Sequence, residues 1–105
     1  MNTQPPIVRQ YMALKREAPV GSVLLSRVGD FYGIFGKKNV DDVRQILSLP
    51  DSLQDKAFLP MRNLDTYLAK FIRNGKTVAL ADYADYTARG KLTRREITRV
   101  IAPGT

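Results

Sequence analysis

The residues that could do chemistry here are few. Phe31 and Tyr32 follow Gly29-Asp30 and precede a bare Gly33 in the run VGDFYGIF, and Asn74-Gly75-Lys76-Thr77 looks like the end of a phosphate-binding loop. Asp41-Asp42, and Asp82 with Asp85, are the closely spaced carboxylates. Neither His nor Cys occurs, so acid–base work would fall to carboxylate, lysine or tyrosine, and any metal would have oxygen ligands only.

Most of these candidates fail. A phosphate loop needs an earlier glycine at the position Lys70 occupies, and it needs a strand feeding a helix, whereas this run leads out of a helix into a strand. Asp41-Asp42 reads as capping of a helix start, and Asp82 and Asp85 flank a tyrosine-rich strand end without a shared site. The inventory therefore predicts a chain that is not an enzyme, has no ATPase activity and takes no cofactor. What survives is the aromatic pair and the charge. Seventeen Lys and Arg against ten Asp and Glu give a net charge of +7. Such a surplus suits a polyanion such as nucleic acid, though solubility alone also accounts for it.

The elements that must position Phe31 can be read from pattern. Residues 1–105 form one domain, with no repeat or linker-like tract. Pro5 and Pro6 fit a first helical turn, Ile7, Val8, Tyr11, Met12 and Leu14 follow at helical spacing, and Pro19 marks the stop. The run from Ser22 to Val28 is a strand, Gly29-Asp30 a two-residue hairpin turn, and Phe31 to Phe35 the returning strand. Asn39 is expected to cap a second helix, with Asp41 and Asp42 in its first turn. A short apolar run, AFLPM, follows a loop. Asn63 is expected to cap a third helix that Asn74-Gly75 closes. TVALADY is a buried-looking strand, and REITRVIA is the last strand, after a basic loop. Three helices and about five strands predict an α/β domain on a mixed sheet. No apolar run is long enough to span a membrane, and no signal-peptide layout opens the chain, so a cytoplasmic protein is expected.

In such a hairpin Val28 pairs with Phe31, Ser26 with Gly33 and Leu24 with Phe35 on one face, while Arg27, Tyr32, Leu25 and Ile34 take the other. Phe31 then has only small neighbours toward the strand body. A helix laid over the hairpin would make it core; an uncovered hairpin would make it a wedge between bases. The pattern alone leaves both open.

VGDFYGIF resembles the GDFYE hairpin of the N-terminal mismatch-recognition domain of the MutS family. The likeness continues through QYMALKREAP, YLAKFIRNGKTVALAD and RREITRVIAPGT, in the same order, and FLPMRNL resembles the family's GIP loop and its sequel. It spans almost the whole chain. The resemblance implies a mixed sheet of about six strands with three helices, and a DNA-binding module. It also implies that Phe31 enters the minor groove and stacks on a mispaired base. The family's base-bonding glutamate falls at Gly33, so weak mismatch discrimination is implied. Pro60 matches the loop proline, and Arg62 falls where a side chain could reach a phosphate. The segment between Leu49 and Phe58 is shorter than in many relatives, and no DNA contact is carried over from it.

The expected DNA-binding set is Phe31, Tyr32, Gly33 and Pro60, with Arg27, Lys37, Lys38, Arg62, Arg89 and Lys91 as phosphate contacts chosen for loop or hairpin-end placement. The expected partner is duplex DNA, whether matched, mispaired or distorted. The ATPase and clamp domains of full family members are absent from the 105 residues, so a protein partner supplying those functions is also expected. The alternative is a retooled scaffold that binds protein through Phe31 and Tyr32.

Overall fold

The computed structural model describes residues 4–84 and 93–104. Pro5 and Pro6 open helix α1 (Pro6–Glu17), where their missing N–H groups cost nothing, and Lys15 and Arg16 in its last turn suit the helix dipole. Strands β1 (Val23–Val28) and β2 (Phe31–Phe35) form the predicted hairpin, with Val28 opposite Phe31, Arg27 opposite Tyr32 and Ser26 opposite Gly33. Gly29 makes the turn possible, since its φ of 61° at the first central position is one that residues with a Cβ rarely adopt.

Helix α2 (Lys37–Leu47) begins three residues earlier than the sequence suggests. Gly36, at φ 95°, takes the N-cap position, and Asn39 instead lies in the first turn and donates its side-chain amide to the Phe35 carbonyl at 2.8 Å. Asp41 and Asp42 consequently fall past the first turn. They pair one helical turn back, with Lys37 at 3.0 Å and Lys38 at 3.2 Å. The hydrogen bond from Lys37, helped by Arg44, holds the Asp41 carboxyl below its ordinary range.

Strand β3 (Lys56–Pro60) runs into a single 3-10 turn, Met61–Asn63, and then helix α3 (Leu64–Arg73). Asn63 occupies the N-cap position as expected, but its side chain makes no capping bond. Strands β4 (Val78–Tyr83) and β5 (Arg95–Ile101) complete a sheet in the order β3-β2-β1-β4-β5, with β1 and β4 parallel and the other pairs antiparallel. The mixed sheet and three helices match the expectation. The strand count among the described residues is five rather than about six, because the remaining described segments are the helices and their short connections.

Alternation along β2 and β3 sorts the residues. Phe31, Gly33 and Phe35 share one face with Pro60, Phe58 and Lys56; Tyr32 and Ile34 share the other with Leu59 and Ala57. Helix α1 lies over the first face, where Tyr11 meets Phe35 edge to face at 5.4 Å and donates its hydroxyl to the Leu24 carbonyl at 2.7 Å. Helices α2 and α3 cover the second face, burying Tyr32, Ile34, Leu59, Val40, Val43 and Phe71. Among the described residues no helix is long and apolar enough to cross a membrane.

Candidate nucleic-acid interface

Helix α1 covers Phe35 but stops short of the hairpin tip. Phe31 keeps 44% of its surface exposed, although the next residues on its own face toward the strand body, Ser26 and Gly33, are buried. The strand pattern made Phe31 either core or wedge; the fold leaves it about half exposed.

The hairpin that carries the ring is fastened on both sides. On one, the Gly29 N–H donates to the Tyr83 hydroxyl at 2.6 Å; on the other, the Met61 N–H donates to the Asp30 carbonyl at 2.9 Å. Behind the turn, Arg27 pairs with Asp82 at 3.0 Å and donates through Nε to the Gly29 carbonyl at 3.1 Å. Arg95, itself buried, donates to the Arg27 carbonyl and to Gln10 Oε1. The Arg27 and Arg95 guanidinium carbons lie 5.1 and 4.9 Å from the Tyr83 ring centre, within cation–π range. Two bracing cations and one tyrosine thus hold the turn at a fixed angle to β4 and β5.

Beside Phe31 the surface dips into a hollow of about 460 Å³ walled by Asp30, Phe31, Pro60, Met61 and Arg62. A volume of that order accommodates a small planar ligand. Its walls are mostly apolar, with one cation and one carboxylate at the rim.

Gly33, two residues on, has no side chain, yet the space one would use is taken. A Cβ there would stand 2.9 Å from Phe35 Cε2 and 3.2 Å from Val28 Cγ2. The backbone is not the obstacle, since Gly33 pairs regularly with Ser26 and Phe58 and lacks a left-handed φ. The Phe35 ring is the obstacle.

An aromatic is thus held at the tip of a braced hairpin, beside an open hollow, in a chain of net charge +7. The model of MutS domain I matches residues 5–105. The chain belongs to the MutS domain I family. It is 34% identical to the DNA mismatch repair protein MutS of Methanothrix thermoacetophila, 37% to that of Thermotoga neapolitana and 32% to that of Treponema pallidum. Those alignments cover 95%, 94% and 95% of this chain but only 13%, 13% and 11% of the relatives.

On this MutS domain I the residues singled out from sequence divide into groups. Phe31, Pro60 and Arg62 come together around the hollow, with Gly33 beside them. Tyr32 does not join them. Alternation turns it to the opposite face, where it is 6% exposed beneath the helices and unable to touch a ligand at the Phe31 face. Arg27 is drawn inward by Asp82 and serves the turn. Lys37 and Lys38 are exposed but stand at the start of α2, beyond the end of β2 remote from the turn, each in an ion pair. Arg89 and Lys91 lie outside the described residues.

Met61, Tyr83, Arg95 and Phe58 were not expected. The first three are joined to the hairpin by tertiary contacts that leave no sequence signal. Phe58 had one: in KAFLP the buried Ala57 and Leu59 alternate with it, which places it outward at 45% exposure.

Proposed function

We propose that this chain is a DNA-binding module without a catalytic centre of its own, in which Phe31 enters the minor groove and stacks on an easily unstacked base. The observation that carries the reading is the exposed Phe31 ring on a doubly fastened hairpin, beside a hollow rimmed by Arg62. Inserting an apolar ring into a base step costs a few kcal/mol of unstacking, least where pairing is already faulty, and a rigid hairpin avoids a further cost of ordering the ring. Family membership supports the reading, since the relatives are named DNA mismatch repair proteins. A protein partner supplying ATPase or clamp functions, and a cytoplasmic location, are part of the same proposal.

Gly33 leaves the module a weak discriminator. Stacking by Phe31 favours sites that open easily, but position 33 offers no group to hydrogen-bond a base edge. Arg62 is the phosphate contact nearest the ring; Lys37 and Lys38 are outlying ones, free to exchange their carboxylate partners for phosphate.

A titration of matched, mispaired and single-stranded oligonucleotides across salt concentrations tests the proposal. With about five phosphates neutralised, the log–log slope on duplex should be roughly −4 to −5. Matched and mispaired duplex should differ by only about 1 kcal/mol. Absence of binding at low salt would favour the alternative, an apolar anchor for a protein partner, to which the exposed Phe31 and Phe58 also lend themselves.

A further inference from the structure

A second polar arrangement lies at the end of β1 remote from the hairpin. There β1 and β4 run parallel and start side by side, the Val23 N–H donating to the Thr77 carbonyl at 2.8 Å. The length of β1, six residues or roughly 20 Å, separates this end from the Gly29 turn. A narrow recess of about 10 Å³ opens beside the strand starts, walled in part by Lys15, Ser22, Asn39, Asp42 and Lys76. Such a volume admits one atom the size of a water oxygen.

Two features of the recess go unanswered within the protein. Ser22 is 4% exposed and its hydroxyl Oγ has no hydrogen-bond partner, a buried donor that costs stability until something accepts from it. The ammonium groups are also short of counter-charge. Asp42 pairs with Lys38 at 3.2 Å, Lys15 donates to the Ser22 carbonyl at 2.6 Å, and Lys76 has no ion-pair partner among the described residues. Burial, and then the charges of Lys38 and Lys76, push the Lys15 ammonium below the ordinary lysine range, with Asp42 opposing in part.

We infer that the recess is a phosphate site, separate from the Phe31 hairpin, in which Lys15, Lys76 and the Ser22 hydroxyl hold one phosphate group. One oxygen fills the recess, and the others stay at its mouth. A phosphate group suits it better than chloride or a carboxylate. It carries up to about two negative charges near neutrality and has acceptor oxygens enough for two ammonium groups and a hydroxyl. Lysine engages phosphate as a point charge, so no arginine fork is required. Pairing with Lys38 screens the Asp42 carboxylate, the one acidic group among the described residues that wall the recess. Free phosphate and a backbone phosphate of nucleic acid present the same oxygens to it.

Amide NMR titration of the isotope-labelled chain tests this, with sodium phosphate, with sodium chloride at matched ionic strength, and with tetrathymidylate lacking a terminal phosphate. Phosphate should produce saturable shifts at Gly21, Ser22 and Thr77 that chloride does not. Lys76→Gln should weaken that binding about five-fold, the upper range for an exposed ion pair. Ser22→Ala should weaken it too while leaving the free protein no less stable, because no internal bond is lost. Tetrathymidylate moving the same amides at lower concentration than phosphate would support the site and give it a backbone phosphate. Movement by phosphate alone would support it as a site for free phosphate. No saturable shift with either probe, equal shifts in chloride, or an affinity unchanged by Lys76→Gln would overturn it. The reading of Phe31 stands apart from each of these outcomes.

Discussion

The ring of Phe35 sits where the side chain of residue 33 would begin, with Cε2 2.9 Å from the place of a Gly33 Cβ. Position 33 is therefore closed by packing rather than by backbone conformation. Gly33→Ala is expected to lower stability by about 1–3 kcal/mol, the usual cost of overpacking a filled core. Adding Phe35→Leu should recover part of that loss. Equal stability of wild type and Gly33→Ala in urea denaturation would mean that the ring swings aside freely.

The same contact bears on a carboxylate at this position. Gly33→Glu, measured in the Phe35→Leu background, should weaken binding to matched duplex by repelling phosphates and widen the gap to a mispair that accepts its hydrogen bond. Affinities for both duplexes, before and after the substitution, decide it. A folded variant with an unchanged gap would contradict the role given to the glycine.

Tyr83 should act on the hairpin through its hydroxyl. Tyr83→Phe removes the acceptor of the Gly29 N–H but keeps the ring between Arg27 and Arg95. The amide can turn to water, so the stability loss should be no more than about 1 kcal/mol. Hydrogen exchange at Gly29 should nonetheless accelerate. Tyr83→Leu, which also removes the platform under both cations, should cost about 1–2 kcal/mol more. Unchanged exchange at Gly29 would show that the turn does not depend on this bond.

Tyr11 sets an alkaline limit. Burial drives its hydroxyl well above the ordinary 10.0, a hydrogen bond with the Phe35 backbone only partly opposing this. The folded state thus keeps a proton that the unfolded chain releases. The associated stability is complete below pH 10 and declines as pH rises beyond it, by about 1.4 kcal/mol per unit. Tyr11→Phe should be less stable than wild type at neutral pH, through loss of the bond to Leu24, and the difference should shrink above pH 10. Parallel curves for the two proteins from pH 9 to 11 would contradict the assignment.

Much of this was legible in the sequence, and the residues show why the rest was not. Gly29-Asp30 between two apolar runs fixed the hairpin register, because a two-residue turn permits only one pairing. The face of every β2 residue followed from alternation. That same alternation already turns Tyr32 to the face beneath α2 and α3 and Phe58 to the face that carries Phe31. Asn39 misled because a glycine just before the helix outbids a good capping residue three positions later. Arg27 misled for another reason. Its partner, Asp82, is distant in sequence, and no local pattern distinguishes an arginine that braces a turn from one that awaits a phosphate.

The central claim is that Phe31 contributes stacking on DNA and not core packing. Phe31→Ala, titrated against a labelled mispaired duplex and melted in parallel, tests it most directly. The account predicts an affinity loss of about 1–3 kcal/mol, with the melting temperature nearly unchanged because the ring is half exposed. A stability loss of about 3–5 kcal/mol, or an affinity equal to that of the wild type, would contradict it.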